Sequence, residues 1–292
     1  MIKRSFIKVL VMVLMMGMLS GMASEAKAQT YSKATWLWNP WSLVDQQEEI
    51  LQFFQARQVN KVYLQIDQDL SPTVYQLFIS KASSQGIAVY ALDGAPDWAA
   101  PKGYLAQDRL FSWLTKYQAS SLPIQQFEGV HLDVEPYLYS GWNSKRGAVI
   151  KAYQNLYIKA GNQSTQLGIP FEADLPFWFD EIKYNNTFGS GKLSDWVQKH
   201  TDGVTIMAYR DTADLIAAFS EHELKTGQSL GKAVTIGVET GHSYEGNNIT
   251  FHEEGEMYLN QELEKVQGKV SGYKSFSGFA IHHTDSWMRL AP

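Results

Sequence analysis

The run Phe127-Glu128-Gly129-Val130-His131-Leu132-Asp133-Val134-Glu135-Pro136-Tyr137 carries an apolar stretch into two carboxylates spaced i, i+2. In a β-strand that spacing puts both side chains on one face. Two uncompensated carboxylates are costly inside a strand, so their place is a strand end that opens into a polar cleft. There, partial burial and a neighbouring carboxylate raise the pKa of Glu135 and suit it to general acid work, with Asp133 beside it. The competing reading is a solvated strand end followed by a proline turn.

Such a pair needs elements that bring other groups to it. Short β-branched or apolar runs alternate along the chain with longer stretches of helical period. Strands are expected at 35–38, 61–66, 87–92, 129–134, 166–173, 203–208, 233–238 and 278–282, and helices at 44–56, 74–84, 110–119, 149–160, 193–200, 213–224 and 256–266. This alternation argues for parallel strands with crossover helices, and eight βα units in about 260 residues predict a single (β/α)8 barrel. No Gly-x-Gly-x-x-Gly loop follows any strand, which argues against an open dinucleotide-binding sheet. Only Thr284 to Pro292 follow the last strand. The eighth helix is therefore expected to be short or missing, with a single turn there or an outer ring closed by residues 29–33.

Lys3, Arg4 and Lys8 precede an apolar segment over 9–23, and Ala26-Lys27-Ala28 supplies the small residues of a cleavage site. Residues 1–28 read as a signal peptide, and the barrel as a secreted or periplasmic domain over 29–292. The apolar segment is short and broken by Gly17 and Gly21, unlike a membrane anchor. There is no cysteine for a lipid or a disulfide, and a domain of this size buries a full core without one. It is expected to be a monomer.

Removing residues 1–28 takes away four basic residues and one acid, so the net charge of −5 becomes −8. No basic run survives, which excludes nucleic acid and anionic membrane surfaces as natural partners and leaves a neutral polar substrate compatible. The chain is rich in Trp and Tyr, whose flat faces suit the apolar faces of sugar rings.

A barrel gathers its site at the carboxyl ends of its strands. In chain order these ends carry Trp38, Asn39 and Trp41; Gln65, Asp67 and Asp69; Asp93, Asp97 and Trp98; Asp133 and Glu135; Glu172, Asp174 and Trp178; Tyr209, Arg210 and Asp211; Glu239; and His282, His283 and Asp285. Any one of these could be an ordinary loop residue or ion pair. Their convergence is the signal, since a barrel needs no polar ring for stability.

The fourth-strand run Glu128-Gly129-Val130-His131-Leu132-Asp133-Val134-Glu135 resembles the Asp-Gly-x-Asp-x-Asp-x-Glu motif of the family 18 glycoside hydrolases, the chitinases and endo-β-N-acetylglucosaminidases. Met207-Ala208-Tyr209 on the sixth strand looks like that family's Met-x-Tyr. The resemblance implies a glycan substrate, Glu135 as general acid, Asp133 orienting a substrate acetamido group and Tyr209 contacting it. This chain departs from the pattern at Glu128, His131, Val134, Arg210 and His282, where the family has Asp, Asp, an aromatic, Asp and Trp. Trp38, Trp98, Trp178 and Trp287 are candidate sugar platforms. Gln65, Asp67, Asp93, His131, Glu172, Asp174 and His282 are candidate substrate contacts.

Three alternatives remain open. Glu239 at the end of the seventh strand resembles the nucleophile of retaining barrel glycosidases, with Glu135 as the acid. His131, Asp133, His242, His252, His282 and His283 offer metal ligands, yet in no known spacing, so no metal or cofactor is expected. The third is a carbohydrate-binding barrel without activity, against which the intact Glu135 argues.

Overall fold

The computed structural model describes residues 31–292; the expected signal peptide over 1–28 lies outside the described residues. Strands β1 (Ser32–Leu37), β2 (Lys61–Gln65), β3 (Ala88–Asp93), β4 (Gly129–Leu132), β5 (Phe171–Pro176), β8 (Gly203–Met207), β9 (Ala233–Glu239) and β10 (Phe276–His282) close into a parallel barrel. The remaining two, β6 (Lys183–Asn186) and β7 (Gly189–Lys192), form an antiparallel hairpin inserted after β5. Closure is made by β1, which pairs with β2 and β10. The helices are α1 (Gln47–Ala56), α2 (Pro72–Ser84), α3 (Tyr104–Ser120), α4 (Trp142–Leu167), α5 (Leu193–His200), α6 (Ala213–Leu230), α7 (Gly255–Val270) and α8 (Thr284–Met288).

The period-2 alternation of each strand sorts its side chains into two cores. Outward residues such as Val62, Leu64, Val130, Leu132 and Ile236 pack under the helices with Phe54, Phe78, Phe111 and Tyr157. Inside the barrel a second cluster is built from Ala34, Trp36, Tyr63, Tyr90, Leu92 and Ala280. Burying each of these large rings is worth roughly 1.5–3 kcal/mol. Their bulk sets what can face them: a Cβ at Gly129 would lie 2.2 Å from Tyr90 Cε1. The glycine of the fourth-strand motif is thereby required by packing alone.

The fold departs from the sequence expectation in three places, one of them the unanticipated β6–β7 hairpin. Residues 166–169 belong to the end of α4 and its cap, not to β5, because helical periodicity runs on to Leu167 and Gly168 terminates the helix at φ 71°. Ser32 and Lys33 are strand residues of β1, not a segment closing the outer ring. That gap is filled from the other terminus: α8 has five residues and buries Trp287 against Phe53 of α1 at 5.1 Å. Among the described residues no helix is long and apolar enough to cross a membrane.

Candidate active site

The chain leaves β4 in extended form, so Asp133 and Glu135 both continue the inward face while Val134 is buried in the outer core. The backbone is guided by its neighbour: Asp133 N–H donates to the Asp93 carbonyl at 3.0 Å. Only glycine fits next to it, since a Cβ on Gly94 would lie 1.9 Å from the Asp133 carbonyl oxygen. Glu135 then enters a short turn at Pro136–Leu138, which swings the Tyr137 hydroxyl back to donate to Glu135 Oε1. Burial raises the pKa of Glu135; the Tyr137 hydroxyl opposes the rise and the charge of Asp174 adds to it. Burial pushes the Asp133 carboxyl well above the usual range, reinforced by the charges of Asp174 and Glu135. A carboxyl that keeps its proton toward neutral pH is the form a general acid needs.

Beneath this pair the barrel floor is ionic. His131 is fully buried, stacked on Tyr63 with ring centroids 3.7 Å apart, and its Nε2 lies 3.0 Å from Asp174 Oδ2. Its Nδ1 lies 3.9 Å from Glu172, which Lys61 Nζ reaches at 2.9 Å. Burial alone would lower the His131 pKa, but Asp174 and Glu172 outweigh it and raise it above its ordinary value. The same balance holds Glu172 ionised: burial opposes, His131 and Lys61 prevail. Lys61, Glu172, His131 and Asp174 thus follow one another across the interior, and the indole N–H of Trp36 gives Asp174 Oδ2 a donor at 2.9 Å. His131 and Asp174 are buried inside the barrel and Glu172 is half-buried beside Lys61, positions that suit support of the site better than contact with a substrate.

On the opposite wall Glu239 is held by three donors. Its Oε1 accepts the N–H groups of Thr240 and Gly241 at 2.8 and 2.6 Å, and its Oε2 lies 2.7 Å from His282 Nδ1. The Trp38 indole N–H reaches His282 Nε2 at 3.0 Å. An indole only donates, so Nε2 is the acceptor and the His282 proton sits on Nδ1, facing Glu239. Tyr209 lies beside His282, with ring centroids 5.7 Å apart. Burial keeps its phenol protonated, and the surrounding carboxylates of Glu239, Asp174, Asp133 and Glu135 reinforce this.

The remaining expected contacts divide between mouth and core. Trp178 packs edge-on against Tyr137 at 4.9 Å and so stands next to the acid. Asp67 is tied to the half-exposed Trp41, whose indole donates to it at 2.7 Å. Gln65 is half-buried at the end of β2. Asp93 is half-buried, accepts the Gly94 N–H at 2.8 Å, and is pushed by burial from an ordinary 3.8 to about 6. Trp98 and Trp287 are not sugar platforms. Trp98 is 6% exposed, and Trp287 is 2% exposed with its indole on Glu256. The sequence reading passed over Trp36 and Tyr137 as site residues, and placed Trp41 at a strand end without giving it a role. For Tyr137 the signal was present, directly after the Glu-Pro step.

No family model matches the sequence, and no curated protein matches it. Solved structures similar in fold include the C-terminal domain of a protein provisionally named a chitinase from Desulfitobacterium hafniense DCB-2, with TM-score 0.57 and 9% identity over 88% of this chain and 94% of that one. The spore cortex-lytic enzyme SleL of Bacillus megaterium QM B1551 gives 0.56 and 11% over 89% and 73%. The ICChI chitinase from Ipomoea carnea gives 0.52 and 10% over 88% and 96%. At such identities the likeness is one of fold: this is a chitinase-like (β/α)8 barrel, and its chemistry must be argued from its own residues.

Proposed function

We propose that this barrel is a secreted glycoside hydrolase acting on an oligo- or polysaccharide that contains N-acetylhexosamine. The observation that carries the reading is Glu135: a carboxyl of raised pKa at the barrel mouth, oriented by Tyr137 and two residues from a second raised carboxyl. In the proposed reaction Glu135 gives its proton to the glycosidic oxygen as the bond to the anomeric carbon breaks. The acetamido oxygen of the same sugar attacks that carbon, with Asp133 accepting the acetamido N–H and Tyr209 donating to its oxygen. Water then opens the cyclised intermediate and returns a proton to Glu135. Trp38, Trp41 and Trp178 are the aromatic surfaces available to sugar rings, and Gln65, Asp67 and Asp93 the polar groups nearest them on neighbouring strand ends. The chitinase-like fold and the acidic surface support this reading.

A panel of labelled glycans, with and without N-acetylhexosamine, tests it by comparing turnover with simple retention. Glu135→Gln keeps the shape but has no proton to give, so kcat is expected to fall about 10²–10⁴-fold. Glycan retention without turnover by the wild-type protein would replace the enzyme with a carbohydrate-binding barrel.

A further inference from the structure

We propose that Asp180, His222 and Glu223 form a Zn²⁺ site, separate from the carboxyl pair of the candidate acid, that ties the turn after β5 to α6. Candidate ligand atoms of the three residues all lie within 4.8 Å of one another. Glu223 is fully buried, and neither of its carboxylate oxygens makes a well-formed hydrogen bond among the described residues. Burial raises its pKa to about 8, with Ser194 only close enough to weaken the effect. A buried carboxyl in that state either keeps its proton or takes up a cation in its place.

The histidine is already oriented for the purpose. Lys192 Nζ lies 3.5 Å from His222 Nδ1, and His222 Nε2 lies 2.8 Å from Asp195 Oδ1. An ammonium only donates, so Nδ1 carries the lone pair and Nε2 the proton. An imidazole whose far N–H is held by a carboxylate is the usual support of a metal-binding histidine. One imidazole and two carboxylates match Zn²⁺, whereas Ca²⁺ and Mg²⁺ prefer oxygen alone. Lys192 Nζ also lies 4.0 Å from Asp180 Oδ2, so an ammonium already leans toward the same cluster. It reaches Asp180 and His222 but forms no ion pair with Glu223 among the described residues, and an incoming Zn²⁺ would displace it. Asp180 ends the turn Phe177–Asp180 that carries Trp178, which in turn packs on Tyr137. The ion would therefore pin the turn that walls the candidate acid.

Calorimetric titration of the chelator-treated protein with ZnCl₂, together with thermal melts, tests the site without reference to any glycosidase activity. One Zn²⁺ per chain is expected, with Tm rising by about 5–10 °C at a Zn²⁺ concentration about 100 times the dissociation constant. MgCl₂ and CaCl₂ should do neither. His222→Asn and the isosteric Glu223→Gln should each lose at least about ten-fold in affinity and with it the Tm rise, while Lys192→Met, freed of the competing ammonium, should bind more tightly. Glu135→Gln and His242→Asn should bind as the wild type does. The proposal is overturned if the wild type takes up no stoichiometric Zn²⁺, or if uptake survives in the His222 and Glu223 variants. It is equally overturned if Lys192→Met lowers Tm and gains no affinity, which would make the ammonium the cluster's own cation.

Discussion

Nε2 of His131 lies 3.0 Å from Oδ2 of Asp174, the same oxygen that accepts the Trp36 indole N–H. Where the resembling family keeps a carboxylate on the fourth strand, this chain has a histidine there and a carboxyl group on the next strand, β5. Asp174 is also the neighbouring charge that most reinforces the raised pKa of Asp133. The negative partner that Asp133 needs has moved one strand over, and His131 is what makes its burial affordable.

Restoring the family residue with His131→Asp should therefore harm the protein. The change places a third acid among Asp174 and Glu172 and removes the ring stacked on Tyr63. Breaking a buried pair in this way costs about 3–5 kcal/mol. Thermal melts should show a large fall in Tm, and activity should decline with it. A variant as stable as the wild type would mean that the His131 ring is not the partner this interior requires.

The Tyr137 hydroxyl stabilises the ionised form of Glu135 by donating to it. Tyr137→Phe removes that donor, so the Glu135 pKa should rise further above its ordinary value. Because the acid must be protonated to work, the alkaline limb of kcat/KM should move to higher pH, with only a modest loss at the optimum. A pH–rate profile decides the point, and a limb that stays put or moves down would separate Tyr137 from the titration of the acid.

How far this could be read from the chain depended on whether a residue's neighbours are local. The barrel was legible because each strand and helix announces its own period, and the placing of Asp133 and Glu135 on one face because they are two residues apart. The hairpin was not, since Lys183–Asn186 and Gly189–Lys192 are polar on both faces and carry no alternation. Nor was the core role of Trp287, which follows from how short α8 is and from Phe53 packing against it. The ionic floor was the least visible part. Lys61 and Glu172 are 111 residues apart, and a half-buried position below the mouth looks in sequence like one at the rim.

Asp93 offers a stability test with a definite sign. Its folded pKa is raised to about 6, so in that range the unfolded chain binds fewer protons than the folded one. Stability from this group is complete below its ordinary value of 3.8 and is lost as pH climbs through about 6. Asp93→Asn keeps an oxygen for the Gly94 N–H and abolishes the loss. It should melt with the wild type at pH 4 and be more stable at pH 8, by at most about 3 kcal/mol. Equal melting temperatures at both pH values would show that the Asp93 carboxyl is not desolvated in solution.

The nucleophile is decided at Glu239. Both of its oxygens are engaged, Oε1 by two backbone N–H groups and Oε2 by His282, whose other nitrogen holds Trp38. A carboxylate stabilised by three donors is suited to fixing His282 and Trp38 in place, and attack through it would require giving up part of that network. Glu239→Gln is therefore expected to reduce turnover mildly, mainly through KM as Trp38 loosens, and substrates lacking an acetamido group should not be cleaved. A thiazoline mimic of the cyclised intermediate should inhibit. If instead the Gln variant is nearly inactive, plain glucans are cleaved and a fluorosugar leaves a covalent adduct on Glu239, the acetamido mechanism is wrong and Glu239 is the nucleophile of a retaining double displacement.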